Sequence, residues 1–391
     1  MRSRVMIGAA AVVLGATVAL APYAGAATND TAPPRVQQLQ SVEPPVIGED
    51  ALMAHINELQ KIADANGGNR AHGRPGFKAS IDYVKGKLDA AGFQTTLMPF
   101  TFNGAQGWDL IADWPFGDPD NVVFVGAHLD SVTAGPGLND NGSGSAALLE
   151  NALTVSRTNL RPDKRMRFGW WGAEELGLGG SKAYVKQLSA TDRKKINMYL
   201  NFDMVATKKV TKWGIYRDGD AALATMLRTW FADHKIPSID LDVNGRSDHG
   251  PFRDAGIPAS GFISEDSLSR LDPCYHQACD NASNVLPAAI GTGANVIAGV
   301  FWRAAGAKVA GADPTTGPSP EPTVSPEPSR GTDPTTGPEP SGGTEPTTDP
   351  EPSRGTDPTI SPEPGRPEPS VSDGRSPAAE PPSGRRVGLS L

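Results

Sequence analysis

The sequence contains little cysteine, no apolar run long enough to span a bilayer and no surplus of positive charge. Its 391 residues include two cysteines, which allow one disulfide at most. The longest apolar run, Val5 to Ala21, falls short of the roughly twenty residues that a transmembrane helix needs. The formal net charge of −8 provides no electrostatic footprint for nucleic acid, so we expect no nucleic-acid partner.

The amino terminus has the three-part pattern of a secretory signal peptide. Arg2 and Arg4 precede the apolar run, and small residues follow it at 24–27. We predict a signal peptide over residues 1–27, a polar leader or propeptide over 28–45, and a secreted, extracellular protein without a membrane span after processing. A transmembrane anchor is the alternative that the length of the run disfavours.

The carboxyl-terminal residues differ in composition from the rest of the chain. Residues 311–391 hold 20 of the 36 prolines and no aromatic residue, cysteine or lysine. Thirteen acidic against six basic residues give this stretch most of the net charge of the chain. Such a composition cannot bury enough apolar surface to offset chain entropy. We therefore predict a disordered Pro-rich tail over 309–391, which could act as a cell-wall spacer, be trimmed, or have no specific role.

The middle of the chain, 46–308, is long enough for one large domain, for which we expect a monomer. Its apolar runs alternate with helical patterns, which predicts a three-layer αβα sandwich with a mixed, mostly parallel central sheet. Three of these runs end at His128, Glu175 and Asp203. Ligands bind beyond the carboxyl ends of strands in such sheets, so these residues are expected to build one site.

The candidate site has the residue types that zinc prefers. Imidazole nitrogen and carboxylate oxygen bind zinc, and catalytic sites keep a position open for water. Asp140 lies in the Gly-rich stretch Asn139-Asp-Asn-Gly-Ser-Gly-Ser145, which we interpret as a turn that brings this carboxylate to a metal. Glu174 precedes Glu175, and neighbouring side chains point in different directions, so Glu174 could be the general base while Glu175 binds metal.

Both cysteines lie in the window Asp272-Pro-Cys-Tyr-His-Gln-Ala-Cys-Asp280. An exported protein meets oxidising conditions, which favours one disulfide between Cys274 and Cys279. Two free thiols remain the alternative. A metal site built on the cysteines is disfavoured because only His276 lies nearby.

Six motifs occur in order along the core, and together they resemble the secreted bacterial di-zinc aminopeptidases of leucine aminopeptidase type, within the co-catalytic zinc exopeptidases. The similarity extends from about Val46 to Ala304. The motifs are Gly126-Ala-His-Leu-Asp-Ser131, Gly137-Leu-Asn-Asp-Asn-Gly-Ser-Gly144, Trp170-Trp-Gly-Ala-Glu-Glu-Leu-Gly177, Leu200-Asn-Phe-Asp-Met204, Gly245-Arg-Ser-Asp-His-Gly250 and Cys274-Tyr-His276.

The resemblance implies a zinc exopeptidase fold and a ligand set for two Zn²⁺ ions. One ion would be bound by His128 and Asp203, the other by Glu175 and His276, and Asp140 would bridge them. A hydroxide bridging the two metals would then attack the peptide carbonyl of a substrate bound by its amino terminus. The implied reaction is hydrolysis of N-terminal residues from peptides or proteins, with a preference for Leu and other large apolar residues.

The resemblance also implies roles for the residues around the metals. Glu174 would be the general base, and with Asp203 it would hold the protonated α-amine of the substrate. Tyr275 would hydrogen-bond the tetrahedral oxyanion, Arg246 would assist substrate binding, and Asp130 would orient the imidazole of His128.

Some relatives bind calcium near the mature amino terminus and in the final helix. This chain has Val46, Gly291 and Asn295 at those positions, so we predict no calcium site.

Two other classes of function stay open at this stage. A carboxypeptidase on the same fold would use Arg246 to hold a C-terminal carboxylate, and a glutaminyl cyclase would bind a single zinc. A non-catalytic cell-wall binding protein would keep the fold and use the Pro-rich tail. Its weakness is that a binding module needs neither the metal ligands nor Glu174.

Overall fold

The computed structural model describes residues 39–310 apart from residue 270. The predicted signal peptide, most of the leader and nearly all of the Pro-rich tail lie outside these residues. None of the helices in the described part combines the length and apolar character needed to cross a bilayer.

Ten strands and eight α-helices make up the described part of the chain. The strands are β1 (Leu39–Ser41), β2 (Gln94–Phe102), β3 (Ala105–Asp113), β4 (Asp118–His128), β5 (Lys164–Trp171), β6 (Ile196–Phe202), β7 (Trp213–Tyr216), β8 (Ser238–Leu241), β9 (Ala259–Ile263) and β10 (Lys308–Ala310). The helices are α1 (Glu49–Ala65), α2 (Pro75–Ala90), α3 (Gly144–Arg157), α4 (Gly179–Gln187), α5 (Ala190–Lys195), α6 (Ala221–Asp233), α7 (His249–Asp254) and α8 (Pro287–Ala305).

Eight of the strands form one mixed sheet in the order β2-β3-β5-β4-β6-β9-β7-β8. The four central strands β5, β4, β6 and β9 are parallel to one another. Antiparallel pairs occur where β3 joins β5, where β9 joins β7 and in the β2–β3 hairpin. This arrangement confirms the predicted α/β class with a mostly parallel central sheet.

The sheet is buried on both faces, as the alternation along β4 demonstrates. Val123 and Val125 belong to the larger core, beneath α1, α2, α3, α6 and α8. Val122 and Phe124 belong to a second core on the opposite face, where Phe252 of α7 packs. Side chains alternate between the faces of a strand, so β4 contributes to both cores. Helices therefore cover the sheet on two sides and make three layers.

The strand order brings the candidate ligands together at the carboxyl ends of the central strands. Strand β4 lies between β5 and β6, and the chain leaves β5 on one side of β4 and returns as β6 on the other. The loops after β4 and after its neighbours therefore diverge and leave a crevice at their carboxyl ends. His128 is the last residue of β4, and Asp203 follows the last residue of β6.

Some elements were not predicted from the sequence. The hairpin of β2 and β3 turns at Asn103 and Gly104, both with positive φ, as a two-residue hairpin loop requires. The short strands β7 and β8 pair with each other and lie at the side of the sheet opposite to β2. Strand β1 pairs with β10 in a small antiparallel sheet, so regular structure reaches beyond the predicted domain limits of 46–308 at both ends.

Candidate metal centre

Five side chains from five different segments meet at the carboxyl edge of the central strands. His128 ends β4, Asp203 follows β6, and Glu175 lies in the loop after β5. Asp140 lies in an irregular turn at Leu138–Ser143, immediately before α3, and its own backbone angles are not helical. His276 lies in the loop before α8, with a positive φ of 58°. The structure thus brings together all five side chains expected to bind metal.

The distances divide these residues into two groups that share Asp140. His128 Nε2 lies 3.2 Å from Asp140 Oδ1 and 3.4 Å from Asp203 Oδ1. His276 Nε2 lies 3.2 Å from Asp140 Oδ2 and 2.7 Å from Glu175 Oε2. Each group offers one ligand atom per residue, and within a group all these atoms lie within 4.8 Å of one another. The two oxygens of Asp140 therefore face different groups, as a bridging carboxylate requires.

The donor set fits metal ions in a further respect. Four buried atoms of these residues have no hydrogen-bond partner outside the two groups: Nε2 of His128, Nε2 of His276, Oε1 of Glu175 and Oδ1 of Asp203. Buried polar atoms in folded proteins almost always have a partner, because leaving one unpaired costs free energy. Buried nitrogen and oxygen atoms that have no partner outside their own group are an arrangement that bound divalent ions would satisfy.

Without metal charge, the cluster holds protons. Burial raises the pKa of Glu175 to about 8, and the negative charge of Asp140 adds to the rise. Burial by itself would lower the pKa of His276, but hydrogen bonds with Asp140 and Glu175 raise it to about 10. Burial opposes ionisation of Asp140 too, yet its two histidine partners lower its pKa to about 2. Metal ligands must be deprotonated, so metal binding here would release protons.

Glu174 lies beside the first group without belonging to it. Its Oε2 is 3.9 Å from His128 Nε2, and its side chain lines a cavity next to Asp140 and Asp203. Its backbone N–H donates to Asp130 Oδ1 over 3.1 Å, which fixes where the side chain begins. Burial raises the pKa of Glu174 well above its usual value.

Asp130 contacts the imidazole of His128 most closely through its backbone carbonyl. Nδ1 of His128 lies 3.1 Å from the backbone carbonyl of Asp130, whereas the Asp130 carboxylate is 3.6 Å away. The carbonyl accepts the imidazole N–H, while the carboxylate accepts the Glu174 amide. Asp130 thus links the first metal-site histidine to the segment that carries Glu174 and Glu175.

The disulfide expected from the sequence is present and closes the loop that carries His276. Cys274 and Cys279 are bonded, with their Cα atoms 5.3 Å apart. The ring of Tyr275 stacks on that of His276 with centroids 3.7 Å apart. Tyr275 lines the same cavity as Glu174 and is half-buried. Burial and the surrounding carboxylates, Asp140 first among them, raise the pKa of its hydroxyl, so the hydroxyl keeps its proton.

A chain of buried hydrogen bonds orients Asp203, and sequence reasoning did not find it. Ser247 Oγ donates to Asp203 Oδ2 over 2.6 Å and accepts from Asn201 Nδ2 over 2.8 Å. The Tyr199 hydroxyl donates to Asn201 Oδ1, and the Trp171 indole N–H donates to Tyr199. Both Asn201 and Ser247 fall inside quoted motifs, but the motifs give no pairing between them. This series of hydrogen bonds occupies Oδ2 of Asp203, while Oδ1 faces His128.

The cavity beside the two ligand groups is lined by both polar and apolar side chains. Arg246 lies at this cavity with an exposed side chain. A larger cavity of about 690 Å³ lies elsewhere, but none of the five candidate ligands borders it. The apolar lining of the cavity beside the candidate ligands comes from Met204, Tyr216, Val243, Ile263, Leu268, Leu271 and Tyr275.

The positions compared with calcium-binding relatives lie around that larger cavity. Val46, Gly291 and Asn295 all line it, beside Glu49 and Asp50. The amide of Asn295 is bonded to both the N–H and the carbonyl of the Ile47 backbone. The absence of a calcium site there stays a prediction.

The remaining histidines have partners outside the candidate metal centre. His55 lies 3.0 Å from Glu150, and His249 lies 3.1 Å from Asp218. His72 stacks on Phe100 and His234 stacks on Trp230.

Comparison with known proteins identifies the family of this site. Residues 109–301 match the sequence profile described as "Peptidase family M28", and this range includes every candidate ligand. This region of the chain belongs to peptidase family M28. The resemblance inferred from the motifs is thereby confirmed.

Two relatives from the same family give the extent of the similarity. The M28 chain is 50% identical over 275 residues to "Leupeptin-inactivating enzyme 1" of Streptomyces exfoliatus, covering 66% of this chain and 62% of that one. It is 38% identical over 207 residues to an "Aminopeptidase" of Pseudomonas aeruginosa, covering 46% and 38%. The M28 chain therefore spans less than two thirds of the length of these relatives.

Solved structures agree on the fold. An aminopeptidase from Aneurinibacillus sp. strain AM-1 superposes with a TM-score of 0.58 at 18% identity, covering 66% of this chain and 94% of that one. A glutaminyl cyclase of Bacteroides thetaiotaomicron superposes with a TM-score of 0.57 at 16% identity, covering 66% and 99%. The fold therefore accommodates more than one reaction, and the choice between them depends on the site.

Proposed function

We propose that this M28 chain is a secreted di-zinc aminopeptidase that hydrolyses N-terminal residues from peptides, with a preference for Leu and other large apolar residues. The observation that carries the proposal is the pair of ligand groups sharing Asp140, with the Glu174 carboxylate beside them. His128 and Asp203 would bind one ion, Glu175 and His276 the other, and Asp140 both.

Two bound zinc ions would supply Lewis acidity to polarise a carbonyl and acidify a water molecule. The side chains of the protein perform the remaining tasks. Glu174 takes a proton at Oε2 from the attacking water and delivers it to the departing amine. The protonated hydroxyl of Tyr275 donates a hydrogen bond to the oxyanion that develops on the former carbonyl.

The charge distribution favours a free amino terminus as the ligand. Bound zinc would offset the charges of Asp140 and Asp203, whereas Glu174 borders the same cavity without being a proposed ligand and can accept a hydrogen bond from a protonated α-amine. Arg246, which lines the same cavity, is exposed, and a single exposed charge contributes little to holding a C-terminal carboxylate. This argues against the carboxypeptidase alternative. Apolar side chains line part of this cavity, which agrees with an apolar first residue, and its volume of about 50 Å³ means that a side chain as large as Leu would need it to open further.

The test compares a Leu-peptide with its N-acetylated form, using purified protein with its zinc content quantified. We expect release of free Leu from the first peptide, no release from the second, and loss of activity on chelation. Release of C-terminal residues from the acetylated peptide would indicate a carboxypeptidase. Conversion of an N-terminal Gln peptide to its cyclic form without cleavage would indicate a glutaminyl cyclase, and no reaction by the zinc-loaded protein would favour a non-catalytic role.

A further inference from the structure

The segment between two proposed metal ligands is held by two buried groups of opposite charge. His128 and Asp140 stand at the ends of a stretch with little regular structure, 129–137, followed by the turn that carries Asp140. Two side chains from elsewhere in the sequence contact this segment. Arg70 is completely buried, and Asp280 is 2% exposed.

Arg70 binds the carbonyl groups of the segment. Its Nε donates to the carbonyl of Pro136 over 2.9 Å, and Nη2 donates to that of Gly137 over 2.6 Å. Its Nη1 donates to the carbonyl of Leu129, the residue after His128. The backbone of Arg70 also pairs with Ser131, whose hydroxyl accepts its N–H and whose N–H donates to its carbonyl. A planar guanidinium with five donors suits such a set of carbonyls.

Asp280 binds the amide groups that follow. Its Oδ1 accepts the N–H of Asn139 over 2.8 Å, and its Oδ2 accepts the N–H of Asp140 over 3.0 Å. The backbone carbonyl of Asp280 accepts the N–H of Leu138 over 3.0 Å. Three consecutive amides, ending at the residue proposed to bridge the metals, are thus bonded to one residue. Asp280 directly follows Cys279, so it also ties this segment to the disulfide loop that carries His276.

Arg70 and Asp280 carry opposite charges, so they complement each other electrostatically. Burial lowers the pKa of Arg70 to about 10, and the charges of Asp130, Asp280, Glu175 and Asp140 oppose that decrease. Arg70 therefore remains charged at neutral pH. A buried cation behind several carboxylates reduces their mutual repulsion, while the hydrogen bonds fix the backbone to which the ligands are attached.

We propose that Arg70 and Asp280 are positioning residues that hold segment 129–140 so that both oxygens of Asp140 reach their metals. The proposal deepens the proposed function and rests on it for the identity of the metal centre. Neither residue contacts the reacting atoms. Both act through the backbone, which accounts for their being absent from the ligand set inferred from the motifs.

The first test is hydrogen exchange of the metal-free, full-length wild-type chain, resolved by residue. The amides of Leu138, Asn139 and Asp140 should exchange slowly, because each is bonded to Asp280. In Asp280→Asn the side-chain NH₂ faces an amide N–H, so exchange at Asn139 and Asp140 should rise by about tenfold or more. Leu138 should change less, since it is bonded to the backbone carbonyl. Rapid exchange at all three amides in the wild type would overturn the proposal even if the variant failed to fold.

The second test is zinc affinity, measured by competition with a chelator. Asp280→Asn and Arg70→Lys should each weaken zinc binding by roughly 10- to 100-fold, the range seen when groups that orient metal ligands are removed. Lys keeps the charge and loses the fork of donors, so unchanged affinity in Arg70→Lys would mean that charge alone suffices and would overturn the positioning role of Arg70.

Asp220→Asn is the matched control for both tests. Asp220 accepts two backbone amides, those of Ala222 and Leu223, at the start of α6, and Asn caps a helix as well as Asp does. Its zinc affinity should equal that of the wild type. If Asp280→Asn kept the zinc affinity and the amide exchange rates of the wild type, the positioning role of Asp280 would be refuted. If the wild type bound zinc tightly but did not hydrolyse peptides, the proposed function would be refuted, whereas the positioning role of Arg70 and Asp280 would stand.

Discussion

Removal of zinc should lower the melting temperature of this protein substantially, because four buried ligand atoms have no hydrogen-bond partner outside the two ligand groups. An unpaired buried polar group costs about 1–3 kcal/mol, and a bound ion relieves that cost for each such atom that becomes its ligand. Free zinc at a thousand times its dissociation constant stabilises the folded state by about 4 kcal/mol per ion. For a domain of this size, 1 kcal/mol shifts the melting temperature by about 2–4 °C. Binding of one ion should therefore raise the melting temperature by about 8–16 °C.

The assay is calorimetry of metal-free and zinc-loaded protein, with bound zinc quantified in each sample. The matched variants are Asp140→Asn, which alters the carboxylate shared by both groups, and Asp240→Asn, which alters an exposed carboxylate paired with Arg228. The zinc-dependent shift should persist in Asp240→Asn and largely disappear in Asp140→Asn. An equal shift in both variants, or no shift in a wild type that has bound zinc, would refute the assignment of the metal ligands.

Three further predictions concern the general base, the second core and acid stability. Glu174→Gln should lower kcat by at least about 100-fold while the protein still binds zinc, because the change removes proton transfer and keeps the ligands. Phe252→Ala should destabilise the fold by about 3–5 kcal/mol in denaturant unfolding, since the Phe252 ring stacks on Tyr199 with centroids 3.8 Å apart. Burial would raise the pKa of Asp218, but His249, the Gly245 amide and Arg253 lower it to about 2. The stability that Asp218 contributes should therefore be present above about pH 4 and be lost as the pH falls towards 2.

Each of these predictions has an outcome that contradicts it. A fully active Glu174→Gln would remove this residue from proton transfer. A loss below about 1 kcal/mol in Phe252→Ala would mean that the second core repacks around the gap. For acid stability, the difference in unfolding free energy between wild type and Asp218→Asn is measured across pH. A difference that stays constant from pH 6 to pH 2 would contradict the depressed pKa.

The main strands and helices could be predicted because their patterns are local. Leu52, Ile56, Leu59 and Ala63 recur at helical spacing along one face of α1 and are all buried. The buried runs that form β4, β5 and β6 end at polar residues, which indicated the edge of the sheet where the site forms.

The elements that were not predicted lack that local pattern. Strand β2 lies at the sheet edge and buries only Phe100 fully, so its apolar alternation is weak. Its turn, Asn103-Gly104, did carry a hairpin signature in the sequence. Strands β7 and β8 have four residues each, too short for a periodic pattern. Strand β7 is placed by its pairing with β9, and β8 by its pairing with β7, which is information about the tertiary structure.

The candidate ligands could be named from motifs, whereas the groups that orient them could not. The hydrogen bond from Ser247 to Asp203 joins residues 44 positions apart, and the bond from the Asp140 amide to Asp280 spans 140 positions. The sequence does not distinguish Arg70 from a surface residue, because an arginine in a Gly-rich loop is usually solvated. In the structure, however, its side chain is completely buried. Residues that act through backbone contacts leave no spacing rule in the sequence.

The most direct test of the account is a zinc titration of the metal-free protein in which bound zinc and release of Leu from a Leu-peptide are followed together. We expect two ions per chain at saturation, with activity that requires bound zinc, is maximal at that point and is absent from the N-acetylated peptide. In Asp140→Asn both ions should bind more weakly and activity should fall with them. Saturation at two ions without Leu release, or Leu release by metal-free protein, would contradict the account.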